Sequence, residues 1–219
     1  IKFTNIYMDA KNIIAGIVLI IILYLVYIYA FKNSRDSLIA AQSTDNKIVI
    51  KKKIKNEINC TYSLWLFVSQ WKSDPNPKHI MTREVDGGGY SPTVYFDGNV
   101  NNMHIDFSSD NSSDNIQIND FPLQSWTNLI ISINTNVVDI YINGKLIRSA
   151  TLSKPPDQPS NNLYLGIFNP KSSWPNPSSN SDGLIQPELM PFVGFLSTVT
   201  YISGPITPDT AWSIYMKRL

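Results

Sequence analysis

Hydrophobic positions fall into two regimes along the 219-residue chain. Residues 12–31, NIIAGIVLIIILYLVYIYAF, contain no charged side chain. At about 1.5 Å per residue they make a helix of roughly 30 Å, the thickness of a bilayer's hydrocarbon core. Ile13, Ile14, Ile17, Leu19, Ile21 and Leu23 supply apolar surface, while Tyr24, Tyr27 and Tyr29 gather toward one end, where amphipathic rings favour an interface. The apolar core of a signal peptide is shorter, about 7–15 residues, and ends at small residues. Here Phe31-Lys32-Asn33 follows instead, so a single transmembrane anchor is expected.

From residue 61 the pattern changes to short apolar or alternating runs separated by turn chemistry. Runs at 62–70, 79–83, 93–96, 103–107, 116–119, 126–134, 137–141, 163–168 and 195–202 read as strands. Asn143-Gly144 between two apolar runs is a strong hairpin signal, because both turn positions need positive φ. Nine or ten such strands predict an all-β, two-sheet antiparallel jelly-roll sandwich. The late helical signal is Thr207-Pro208, a cap and a first-turn proline ahead of AWSIYMKRL, with Lys217 and Arg218 at the negative end of the dipole. Residues 169–191, rich in Pro, Ser and Asn, read as a long loop carrying Trp174, Leu184 and Ile185.

Charge refines this division. Net charge is +1 overall, yet residues 32–55 carry +5, through Lys32, Arg35, Lys47, Lys51, Lys52, Lys53 and Lys55 against two aspartates. A basic flank resists translocation, so the globular part is expected on the cytosolic side, and the lysines could also meet anionic headgroups. The single cysteine, Cys60, excludes an intrachain disulfide framework and fits a reducing compartment. Near-neutral charge argues against nucleic acid as a partner. The expected organisation is a flank at 1–11, a transmembrane helix at 12–31, a basic stalk with a possible edge strand at 32–58, and a jelly roll at 59–219.

Little catalytic chemistry emerges. Glu84-Val85-Asp86 offers two carboxylates on one strand face, but Gly87-Gly88-Gly89 follows where a third acid would complete a glycosidase motif. His79 and His104 have no second ligand at metal spacing. Loop oxygens at Asp97, Asn99, Asp106, Asp110, Asn111 and Asp114 could hold calcium or could simply be turns, and no cofactor is expected. Trp71, Tyr90 and Trp174 are the aromatic candidates for contact with a ligand or partner, together with Leu184 and Ile185.

The segments Trp126–Ser132 and Val138–Leu146 resemble the strand and Y-x-N-G hairpin of concanavalin A-like, laminin G-like jelly rolls. Tyr62-Ser63-Leu64-Trp65-Leu66-Phe67, Leu163-Tyr164-Leu165-Gly166 and the run at 194–201 fit the same family in the same order. The resemblance implies two antiparallel sheets face to face, with Trp65, Trp126 and Tyr141 as scaffold. It implies little about function, because this fold hosts lectins, glycosidases and interaction modules. Composition separately resembles membrane-associated minor capsid proteins of large DNA viruses, in which an internal membrane is tied to a shell. The leading expectation is therefore a non-enzymatic, membrane-anchored adaptor with the lipid bilayer and coat or capsid-like proteins as partners. The alternatives are a membrane-tethered carbohydrate-binding module, with glycan as partner, and a glycoside hydrolase.

Overall fold

A computed structural model describes residues 3–30, 35–39, 42–44, 47–50, 54–87, 89–109, 112–168 and 190–217. The chain forms two compact units, Ile1–Ser34 and Arg35–Leu219. Lys32, Lys51, Lys52, Lys53, Trp174, Leu184 and Ile185 lie outside the described residues, as do the side chains of Tyr27, Tyr29 and Arg35.

The first unit is the helix α1 (Phe3–Ala30), which starts nine residues before the expected segment. Every side chain described along it, at residues 12–26, is exposed. Among the described residues no helix is long and apolar enough to cross a membrane, so the expected transmembrane span lacks support.

Fourteen strands among the described residues build the second unit. One sheet runs β1 (Arg35–Ile39), β14 (Val193–Ser203), β4 (Cys60–Gln70), β9 (Trp126–Asn134), β10 (Val137–Ile142) and β11 (Lys145–Thr151), with β2 (Gln42–Ser43) also on β14. The other runs β3 (Lys47–Ile50), β12 (Pro159–Gly166), β5 (Lys78–Val85), β6 (Tyr90–Phe96), β7 (Met103–Ser109) and β8 (Ser112–Ile118), with β13 (Met190–Pro191) beside β5. All pairings are antiparallel except that of β13 with β5. The segment expected as a stalk thus supplies the expected edge strand, β3, and also β1 and β2.

Period-two alternation decides which side chains fill the space between the sheets. Tyr62, Leu64, Leu66 and Val68 of β4 face Met103, Ile105 and Phe107 of β7 and Leu163 and Leu165 of β12 within one buried cluster. The Asn143-Gly144 turn forms as expected, with φ of 51° and 74°, and joins β10 to β11. The closing helix α2 (Pro208–Met216) is capped by Thr207, whose hydroxyl accepts from the Thr210 N–H at 3.3 Å, and has Lys217 at its C-cap. It lies on the outer side of the first sheet: Ala211 packs with Ile130 and Tyr141, and Tyr215 stacks on Trp65 at 5.8 Å.

Candidate functional site

On the second sheet the same alternation that buries Met103, Ile105 and Phe107 turns His104 and Asp106 outward. Likewise Ile116 and Ile118 send Asn115 and Gln117 out, Val94 and Phe96 send out Thr93 and Tyr95, and Leu163 and Leu165 send out Tyr164. Register assembles these into rows. Tyr164, Thr82, Thr93, Asp106 and Asn115 stand opposite one another from β12 to β8. A second row is His79, Tyr95, His104 and Gln117. At the other side of the first row, Glu84 stands opposite Tyr90.

Aromatic rings cover one end of this face. Phe168, just beyond β12, stacks on His79 at 4.9 Å and meets Tyr90 and Tyr164 at 5.1 Å each. Tyr90 and Tyr164 remain half-exposed, while Phe168 and His79 beneath them are buried. The Gly166 carbonyl can only accept, so His79 Nδ1 carries the proton at 2.6 Å from it. The Thr82 hydroxyl then donates to Nε2 at 2.7 Å. Burial lowers His79 to a pKa of about 4, against the raising effect of the Gly166 bond, so the ring is neutral at physiological pH.

Two carboxylates sit in different surroundings. Glu84 Oε2 accepts from the Asn162 amide and, at 3.3 Å, from the Tyr164 hydroxyl, and among the described residues Oε1 has no partner. Burial beside the Glu84 charge raises the Tyr164 phenol, which therefore keeps its proton. Asp106 is buried and accepts from the Asn115 amide; burial raises its pKa although Asn115 and Tyr95 oppose the shift. Register puts Glu84 and Asp106 two strands and two residues apart, roughly 12 Å between backbones. Asp86 lies beyond the end of β5, so it does not share the Glu84 face as expected; its N–H donates to the Gln158 carbonyl at 2.9 Å.

Of the expected contacts, Tyr90 belongs to this face. Trp71 instead packs edge-on against Phe96 at 5.6 Å, donates to the Asn99 carbonyl at 3.2 Å and carries Lys78 over its ring. Lys55, expected to meet headgroups, lies 3.7 Å from Glu57. Of the loop oxygens weighed for calcium, Asp110 and Asn111 lie outside the described residues, and the others are separately engaged: Asp97 with the Gly98 N–H, Asn99 with Ser73, Asp106 with Asn115, and Asp114 with Ser153. Among the described residues no three His, Cys, Asp or Glu could together hold a metal ion. Sequence reasoning missed Tyr95, Asn162, Tyr164 and Phe168 as site residues. Alternation with Val94, Phe96, Leu163 and Leu165 turns the first three outward, but only the register unites them.

The outer face of the first sheet differs. There α2 closes over Trp65, beside a cavity that Ser63, Thr198, Thr200 and Lys217 also line, and elsewhere on it runs the row Phe195, Phe67, Trp126, with ring centroids 6.4 and 5.5 Å apart. That row is apolar, whereas the second sheet sets rings beside hydrogen-bonding groups.

The two antiparallel seven-stranded sheets define a jelly-roll domain. The profile of the concanavalin A-like lectin/glucanases superfamily matches residues 42–186, about two thirds of the chain, and the chain belongs to that superfamily. Curated protein sequences give no match. Among solved structures, the botulinum neurotoxin serotype D binding domain aligns at 13% identity with a TM-score of 0.59, over 81% of this chain and 42% of that one. The botulinum neurotoxin type G receptor binding domain aligns at 12% and 0.56, over 84% and 46%. Domain 4 of AbnA, a GH43 extracellular arabinanase from Geobacillus stearothermophilus, in complex with arabinotriose, aligns at 17% and 0.54, over 80% and 75%. The chain spans less than half the length of the neurotoxin domains it matches, and at these identities the likeness is one of fold. None of these matches supports the expected tether between membrane and capsid.

Proposed function

We propose that this protein is a carbohydrate-binding module, with no hydrolytic role, that takes a sugar on the outer face of the second sheet. The observation that carries the reading is the half-exposed pair Tyr90 and Tyr164 beside Glu84 and Asn162. Pyranose and furanose rings expose C–H groups on one face and hydroxyls at their edge. An aromatic ring receives the first, and the unpartnered Glu84 Oε1 accepts from the second. The superfamily match and the neighbouring domain in complex with arabinotriose favour this chemistry over docking to a coat protein. Charge narrows the ligand. Glu84, Asp97 and Asp106 lie on this face, and its described basic group is His104, 3.8 Å from Asp97. Acceptors in a negative field favour neutral or amino sugars over sialylated or uronic ones.

Isothermal titration of the full chain with neutral, amino and acidic oligosaccharides, arabinotriose included, tests the proposal. Neutral or amino sugars are expected to bind and acidic ones to bind at least tenfold more weakly. Replacing Tyr164 with Ala removes a stacking surface and a hydroxyl, and should weaken binding by about tenfold or more. Binding left unchanged by Tyr164→Ala, or no binding across the panel, overturns the reading.

A further inference from the structure

Where α2 meets the outer face of the first sheet there is a cavity of about 200 Å³. Trp65, Ile202 and Ile214 form its apolar part; Ser63, Thr198, Thr200 and Lys217 form its polar part. The polar part depends on a bulge. Ser197 stands opposite Trp65 and Thr200 opposite Ser63, so β14 carries one residue more than β4 between these pairs. Alternation is interrupted there, and Thr198 as well as Thr200 lines the cavity while Leu196, Val199 and Tyr201 stay in the core. Thr198 holds a φ of 47°, where glycine is unstrained and a β-branched residue is an outlier. A threonine held in strained backbone, at a bulge position that suits glycine, points to use of its hydroxyl.

The hydroxyls have protons to offer. Asn128, 0% exposed, donates from its amide nitrogen to the Leu64 carbonyl at 3.3 Å and to Ser63 Oγ at 3.2 Å. Ser63 accepts in that bond, and among the described residues its own proton has no acceptor. Thr200 donates to the Thr198 carbonyl at 3.4 Å, long for a hydroxyl. Lys217 supplies a positive charge that no carboxylate pairs among the described residues, and no carboxylate lines the cavity. Register sets a second basic residue, Arg35 of β1, opposite Ile202. The last carbonyls of α2 carry about half a negative charge, less than the full charge of Lys217.

We infer that this cavity binds a small organic carboxylate. The anionic group meets Lys217 and the hydroxyls of Ser63, Thr198 and Thr200, and the apolar body lies against Trp65, Ile202 and Ile214. A cavity of about 150 Å³ accommodates benzene, so the volume suits one compact ring or branched chain. An inorganic anion would leave the apolar wall wet, and a cation would face Lys217. The site lies on the opposite sheet from the proposed sugar face and stands or falls independently of it.

NMR titration of the isotope-labelled full chain with benzoate, benzamide and benzylamine provides the test. Benzoate should bind saturably and shift the amides of Ser63, Trp65, Thr198, Thr200 and Lys217, while its neutral and cationic analogues bind at least about tenfold more weakly. Lys217→Met should weaken benzoate by about tenfold or more. Thr198→Gly relieves the backbone, so it should keep the fold yet weaken benzoate by roughly threefold or more. No saturable shift with benzoate, benzamide binding as tightly, shifts centred on Tyr90 and Tyr164, or an affinity unchanged in either variant would overturn the inference.

Discussion

At the scale of single residues, His79 ties the aromatic cluster to the strand ladder: Phe168 stacks on its ring while its two nitrogens bond to Gly166 and Thr82. The folded chain accepts a proton there only near pH 4, whereas an unfolded histidine does so near 6.5. The unfolded state therefore binds the proton first. Stability should be unaffected above about pH 6.5 and fall as pH drops toward 4, by on the order of 1 kcal/mol per pH unit. Urea midpoints at pH 7.5, 6 and 5 check this, with His79→Gln expected to flatten the decline. A variant with the parent's slope would show that other groups control it. None of this was legible in sequence. In sequence His79 is only a histidine without a second metal ligand nearby, because its partners come from residues 82, 166 and 168.

At the scale of elements, close approach explains what composition could not. Gly194 sits at a register shift between β14 and β4, and a Cβ there would fall 1.9 Å from the Phe67 carbonyl oxygen. Backbone cannot yield as a side chain can, so Gly194→Ala should cost roughly 2–4 kcal/mol, measured by denaturant unfolding. A loss under half that would mean β14 can move away from β4. The Asn143-Gly144 turn is a different case, readable in advance because its chemistry is local. So were the Thr207 cap and most long strands. Strands β1, β2 and β13 escaped notice because two to five residues carry too little periodicity, and their edges are specified by β14 and β5 rather than by themselves.

At the scale of the molecule, the buried cluster that holds the two sheets together, as described, runs from Ile50 to Tyr201 within the second unit. A chain of residues 35–219 should therefore keep a cooperative melt within about 2 °C of the full chain, read by circular dichroism. Loss of cooperativity would place part of the fold's support before residue 35. The hydrophobic run that dominates the sequence at 12–31 suggested a membrane protein whose globular part docks on a shell, yet the strongest indication of function lies in the other unit. It escaped detection because Tyr90, Glu84, Asn162 and Tyr164 come from three strands, and no local motif joins them. The fold class was legible because alternation is local, whereas the binding face depends on long-range register. The most direct measurement is a titration of the isotope-labelled chain with a neutral oligosaccharide, followed by amide and side-chain NMR shifts. Perturbations should concentrate on Glu84, Tyr90, Asn162 and Tyr164. Shifts centred instead on Phe67, Trp126 and Phe195, or none at saturating sugar, would contradict the assignment of the second sheet as the binding face.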